Sequence, residues 1–170
     1  MPRKEQIVPF ESYDLSQVVT DIEGIRSFNP QRHEMEQLTA IVLEDTERHA
    51  CVGYKDTSLD DFWVRGHMPG MPLMPGVVMC EAAAQLASYY SQKYDLLGAE
   101  MVGFGGLEGV RFRGPVRPGD RLVLQLCLVK ARRGAIIVCD FQGYVDQNRV
   151  VEGQIRGIPL PAAALRSEDG

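Results

Sequence analysis

The run Gly66-His67-Met68-Pro69-Gly70-Met71-Pro72-Leu73-Met74-Pro75-Gly76, together with the stretch 77–94 that follows it, decides the fold. Three prolines and three glycines in eleven residues exclude regular helix or strand over 66–76, because proline removes a backbone donor and glycine loosens the chain. Past Gly76 neither residue recurs until Gly98. The alanine-rich segment beginning Val77-Val78-Met79-Cys80-Glu81-Ala82-Ala83-Ala84-Gln85 therefore predicts a helix over 77–94. Its apolar residues fall on nearly every side, so this helix is expected to be buried and closely wrapped.

The wrapping comes from strands. Downstream, 101–113, 121–130, 135–146 and 150–158 alternate or run apolar, with turns at Pro115–Asp120, Arg132-Arg133-Gly134 and Gln147-Asn148-Arg149. In 121–130, Leu122, Leu124, Leu126 and Leu128 share one face, while Val123, Cys127 and Val129 share the other. A strand apolar on both faces is expected to be covered on both. Upstream, 38–44 and 48–55 read as two strands joined by a tight turn at Asp45-Thr46-Glu47. Before them, Asp14 can cap a short helix whose Leu15, Val18, Val19 and Ile22 keep helical spacing until Gly24. Short links make the sheet antiparallel. The expected architecture is α+β: one curved antiparallel sheet around one long central helix. It forms a single domain over 14–160, with flexible ends at 1–13 and 161–170.

Composition sets the class. With 170 residues, 45% hydrophobic and 24% charged, the chain can bury a core without disulfides or metals. Cys51, Cys80, Cys127 and Cys139 are too scattered for a zinc or redox motif and read as reduced core thiols. No secretory leader opens the chain and no run reaches the ~20 apolar residues of a membrane span, which points to the cytoplasm. The net charge of −5 is uneven: residues 1–100 hold 8 Lys/Arg against 16 Asp/Glu, whereas 101–160 hold 9 against 5. That balance excludes a nucleic-acid partner while leaving a local basic stretch, Arg111, Arg113, Arg117, Arg132 and Arg133, as a candidate docking patch for an acidic protein. Scattered surface arginines would read the same way.

Three residues carry chemistry. Glu81 lies on the apolar helix with no Lys or Arg within a turn. Buried there it would stay protonated, and a protonated carboxylic acid is a general acid. The alternative is a solvated stripe, or a hydrogen bond to Gln85 one turn on. His67 stands between Gly66 and Met68-Pro69-Gly70, a stiff setting with little bulk that suits a positioned base but also suits a plain proline turn. His33 and His49 read as structural. Gly76 opens the helix after Pro75, where free N–H groups and the positive dipole end could receive an oxyanion, or where crowding alone could demand glycine. No nucleophile elbow, phosphate loop or metalloprotease motif competes.

In these residues the chain resembles the FabZ-type 3-hydroxyacyl-acyl-carrier-protein dehydratases of the hot-dog fold. The resemblance rests on Gly66-His67-Met68-Pro69-Gly70, Pro75-Gly76-Val77 and Glu81-Ala82-Ala83-Ala84-Gln85. Phe104-Gly105-Gly106, Val110-Arg111-Phe112-Arg113, Pro115-Val116, Pro118-Gly119-Asp120 and Arg132-Arg133-Gly134 add to it. It implies His67 and Glu81 as the acid–base pair, Gly76 and Val77 as the thioester-positioning amides, Gln85 as support, and Gly103 and Phe104 along the acyl tunnel. It also implies an acyl-carrier-protein thioester substrate and no cofactor or metal. The assembly it implies is a homodimer sharing His67 and Glu81 across subunits, up to a trimer of dimers. Three departures stand out. Met68 replaces an aromatic, Val102-Gly103 replaces an aromatic gate and so implies a looser tunnel, and 31–37 is polar where the family is apolar. A hot-dog thioesterase, an isomerising dehydratase and a non-catalytic acyl-binding relative are the competing readings.

Overall fold

The computed structural model describes residues 5–166. A six-stranded sheet forms from β1 (Ala40–Asp45), β2 (Ala50–Asp56), β3 (Met101–Phe112), β4 (Arg121–Arg132), β5 (Ile136–Val145) and β6 (Asn148–Leu160). Every neighbouring pair is antiparallel, in the spatial order β1-β2-β4-β5-β6-β3. The short α1 (Ile22–Arg26) precedes the sheet. The eighteen-residue α2 (Gly76–Lys93) separates β2 from β3, and α3 (Ala162–Leu165) turns once after β6.

The sheet curls around α2 as the sequence pattern requires. Ala82, Ala83 and Leu86 are completely buried, and Leu122, Leu124, Leu126, Phe141 and Val151 close over them in one core. Alanines on the helix let the strands approach closely, and the apolar area removed from water is the main stabilising contribution. Burial also holds the helix thiol protonated, pushing the Cys80 pKa up to about 11.

The outer face of the sheet is covered as well. Val123, Val52, Tyr54 and Tyr144 pack there against Val8, Phe10 and Tyr13. Gln125 and Gln142, both buried, fasten the N-terminal segment by imitating a strand ladder. Val8 N donates to Gln125 Oε1 at 3.0 Å and Gln125 Nε2 returns to Val8 O at 2.7 Å. Ile7 N donates to Gln142 Oε1 at 2.9 Å. Residues 5–13, expected to be a flexible arm, are thus seated on the sheet. Residues 1–4 of that arm and 167–170 of the expected tail lie outside the described residues.

The helix expected from Asp14 to Gly24 does not form. Val19 N and Thr20 N donate instead to Ile41 O at 2.8 and 3.2 Å, drawing this β-branched stretch along the edge of β1. Helix α1 begins only at Ile22, where Asp21 accepts from Gly24 N at 3.0 Å.

The far end of α2 is pinned by Glu44 of β1, which accepts from Lys93 Nζ at 2.8 Å, Tyr94 Oη at 2.6 Å and the Tyr89 hydroxyl. Burial alone would raise the Glu44 carboxyl, but these hydrogen bonds outweigh it and hold it below its ordinary value. Glu44→Gln is expected to lower stability by ~2–4 kcal/mol at pH 7, since it leaves Lys93 short of its counter-ion. A carboxyl depressed in the folded state contributes stability above its ordinary value near 4.5 and loses it as the pH falls through the lowered folded value. Thermal melts of the two proteins should therefore converge on acidification. A gap that stays constant with pH would contradict the assignment.

Candidate active site

Glu81 and Gln85 sit one turn apart on α2, and Gln85 is a junction. Its Nε2 donates to Glu81 Oε1 at 2.8 Å and to Met35 O at 2.7 Å, while its Oε1 accepts from Gln37 N at 2.8 Å. Its backbone carbonyl accepts from Asn29 Nδ2 at 2.9 Å. The polar 31–37 segment therefore docks on the helix through Gln85. One oxygen of the half-buried Glu81 carboxylate is fixed by Gln85, and no bond within the described residues engages the other, Oε2.

A pocket of about 80 Å³ opens beside Glu81, walled by Gln85, Ser88, Val102, Gly103 and Phe104 among others. Gly103, where a looser tunnel is expected, lines this pocket. A Cβ on Gly103 would point to the face of β3 opposite Val102 and Phe104 and lie 2.4 Å from Leu160 Cγ, so Leu160 fills that outer space and is not a wall of the pocket.

His67 lies on the exposed loop between β2 and α2, outside the walls of that pocket. The loop is tied down: His67 N donates to Trp63 O and Leu73 N to His67 O, both at 2.8 Å. The His67 Nδ1 is 2.7 Å from Leu73 O. A carbonyl oxygen only accepts, so Nδ1 carries a proton, and in the neutral ring it is Nε2 that presents the lone pair.

Gly76 starts α2 against the ring of Phe112, whose Cε1 would lie 2.6 Å from an added Cβ. Crowding therefore demands glycine here. Neither the Gly76 nor the Val77 N–H finds an acceptor among the described residues, and Val77 is 72% exposed. Both N–H groups thus face outward at the positive end of the helix dipole.

The five arginines do not form one patch. Arg111 and Arg113 lie where β3 ends, beside Phe112 and Gly76, and Met74 N donates to Val116 O at 2.8 Å, which brings Arg117 to the same end. Arg132 and Arg133 lie at the opposite end of the strands, roughly 25 Å away at ~3.3 Å per residue. Arg133 is there paired with Asp95 beyond the helix C-terminus. Their closeness in sequence misled because the twelve-residue strand β4 carries the chain the length of the sheet between them.

Sequence reasoning missed the Leu73 carbonyl, which is backbone and leaves no compositional trace. It also missed Gln31 and Ser88, whose side of the pocket depends on how 29–37 folds onto α2. Among the described residues no cluster of His, Cys, Asp and Glu could hold a metal ion.

The family model of the FabA-like domain matches residues 29–154, spanning the whole sheet up to Gln154, α2 and the His67 loop. The chain belongs to the FabA-like family. This FabA-like chain is 36% identical over 148 residues to the 3-hydroxyacyl-[acyl-carrier-protein] dehydratase FabZ of Desulfotalea psychrophila, covering 83% of this chain and 97% of that protein. It is 33% identical over 142 residues to the FabZ dehydratase of Campylobacter jejuni, covering 81% of this chain and 96% of that one. Among solved structures, the dehydratase heterocomplex ApeI:P of Xenorhabdus doucetiae superposes with a TM-score of 0.69 at 13% identity, over 83% of this chain and 93% of that one. That likeness concerns the fold, which is the hot-dog arrangement of a curved sheet around a central helix.

Proposed function

We infer that this protein removes water from a (3R)-hydroxyacyl-acyl-carrier-protein, giving the trans-2-enoyl thioester of fatty-acid biosynthesis. The observation that carries the reading is the agreement over most of the chain with proteins named FabZ dehydratase, in a fold that keeps His67 and Glu81 positioned.

His67 Nε2 takes the C2 proton, and the electron pair of that C–H bond forms the C2=C3 double bond. The C3–O bond breaks as Glu81, in its acid form, donates through Oε2 and water departs. The Gly76 and Val77 N–H groups hold the thioester oxygen while negative charge builds there. Gln85 orients Glu81. His67 then returns its proton and Glu81 regains one by exchange with water.

Because His67 stands outside the Glu81 pocket, the site is completed by a second copy of the chain. The edge strand β3 supports such pairing: it is long, and Phe104, Leu107 and Phe112 on it are exposed, as are Met68, Met71 and Val77 nearby. Arg111 and Arg117 lie at the His67 end and suit docking of an acidic carrier protein, with Arg113 beside them paired to Glu152. Among the described residues no helix is long and apolar enough to cross a membrane. A cytoplasmic setting belongs to the same reading.

The deciding assay supplies a 3-hydroxyacyl carrier thioester and follows the conjugated enoyl absorbance together with free thiol. Enoyl product without thiol is expected; thiol release would instead indicate a thioesterase. With Arg111→Glu and Arg117→Glu combined, kcat/KM for the carrier-linked substrate at low salt should drop about tenfold or more. The short pantetheine thioester should be turned over as before. Equal losses on both substrates would remove the docking role.

A further inference from the structure

The pocket beside Glu81 runs along one face of α2 past Ala84 and Gln85 to Ser88, positions that succeed one another by a turn. On the sheet side its walls are apolar, formed by Val102, Ile137 and Ile155. On the other side they are polar. Ser88 is a buried hydroxyl residue, and the Gln31 side-chain oxygen is buried with no hydrogen-bond partner. A buried carbonyl oxygen lacking a donor is costly, and a ligand that brings one relieves the cost. Arg156 also borders the pocket, with its guanidinium turned to an exposed pairing with Glu108.

Size limits the occupant further. A volume of about 80 Å³ is roughly half of the ~150 Å³ cavity that accepts a benzene ring, which leaves room for about three or four heavy atoms.

We propose that this pocket selects a short 3-hydroxyacyl chain ending in a hydroxyl group, with Gln31 as the specificity-determining residue. The proposal rests on the dehydratase reading and places the reacting carbons at Glu81, with the chain beyond C3 in the pocket. A terminal hydroxyl donates to the Gln31 oxygen and lies within the polar wall that Ser88 continues. A long alkyl chain would have to push Ile137 or Ile155 aside, and its methylenes would leave the Gln31 oxygen unpaired.

The test compares three carrier-linked thioesters: 3,5-dihydroxypentanoyl, 3-hydroxyhexanoyl with the same number of heavy atoms, and 3-hydroxydodecanoyl. For the wild-type protein kcat/KM should favour the dihydroxy chain over the hexanoyl by about tenfold or more, and over the dodecanoyl by about a hundredfold. Gln31→Leu, checked for folding by its thermal melt, should invert the first ratio in favour of the hexanoyl. Turnover of the dodecanoyl chain as fast as the short ones would overturn the proposal. So would equal turnover of the two short chains, or a ratio unmoved by Gln31→Leu. If no chain is dehydrated at all, the dehydratase reading fails, and the pocket is judged by binding alone. Titration with unreactive thioether analogues bearing the same three tails should then give the same ranking, and equal affinities would refute it.

Discussion

Replacing Glu81 by glutamine is expected to lower kcat on a 3-hydroxyacyl carrier thioester by about a thousandfold, with the melting temperature changed little. Gln85 Nε2 donates to Glu81 Oε1, and the amide oxygen of a glutamine accepts that bond equally well, so the junction to Met35 and Gln37 survives. What disappears is the acidic proton for a leaving group that departs poorly as hydroxide. General acid or base assistance supplies on the order of 10²–10⁴-fold, and one such contribution is lost. Because the interaction is made in the transition state, kcat and kcat/KM should fall together. A variant retaining more than about a tenth of normal turnover would remove Glu81 from the acid role. His67→Ala should show a loss of similar size, its Nε2 being the lone pair left available by the Nδ1 contact with Leu73 O.

Mixing these two inactive variants should restore activity. If His67 of one copy works with Glu81 of the other, a mixed dimer of His67→Ala and Glu81→Gln chains holds one site with both residues intact and one with neither. Random pairing of equal amounts makes half of the dimers mixed, so recovery should approach about a quarter of wild-type turnover. The rise from near background to that level is a large signal. Co-expression with two different tags, followed by purification through both, would isolate the mixed species and sharpen the measurement. Recovery no greater than the sum of the parents would mean that each chain carries its own complete site. The placement of His67 outside the pocket beside Glu81 would then need a loop movement to explain it.

Much of the fold was legible in the sequence. The helix expected over 77–94 is Gly76–Lys93, and six strands stand close to where alternation and turn residues put them. These signals are strong because both faces of the sheet and most sides of α2 are buried, and burial writes itself into the choice of apolar residues. The expected helix after Asp14 failed for a reason outside its own residues. Its amphipathic spacing competed with the open edge of β1, and Val19 N and Thr20 N donate to Ile41 O in place of a helical carbonyl. The leucine and valine faces of β4 correctly implied a cover on each side. Which segment provides the outer cover depended on Gln125 and Gln142, polar residues that give no hint of lying beneath a strap.

The same division runs through the site. The Pro-Gly frame around His67, the glycine before α2 and the carboxylate within an alanine-rich helix were visible as anomalies, because local backbone stiffness and an unpaired charge are properties of short stretches. By itself the sequence thus determined the sheet, the central helix and the residues worth suspecting. Tertiary structure alone decided that Leu73 O fixes the His67 tautomer and that Phe112 demands Gly76. It likewise decided that Leu160 fills the space over Gly103 and that the arginines separate to opposite ends of the sheet. Each of these joins residues through space with no fixed spacing in the chain, and contact of that kind exists only once the sheet has closed around α2.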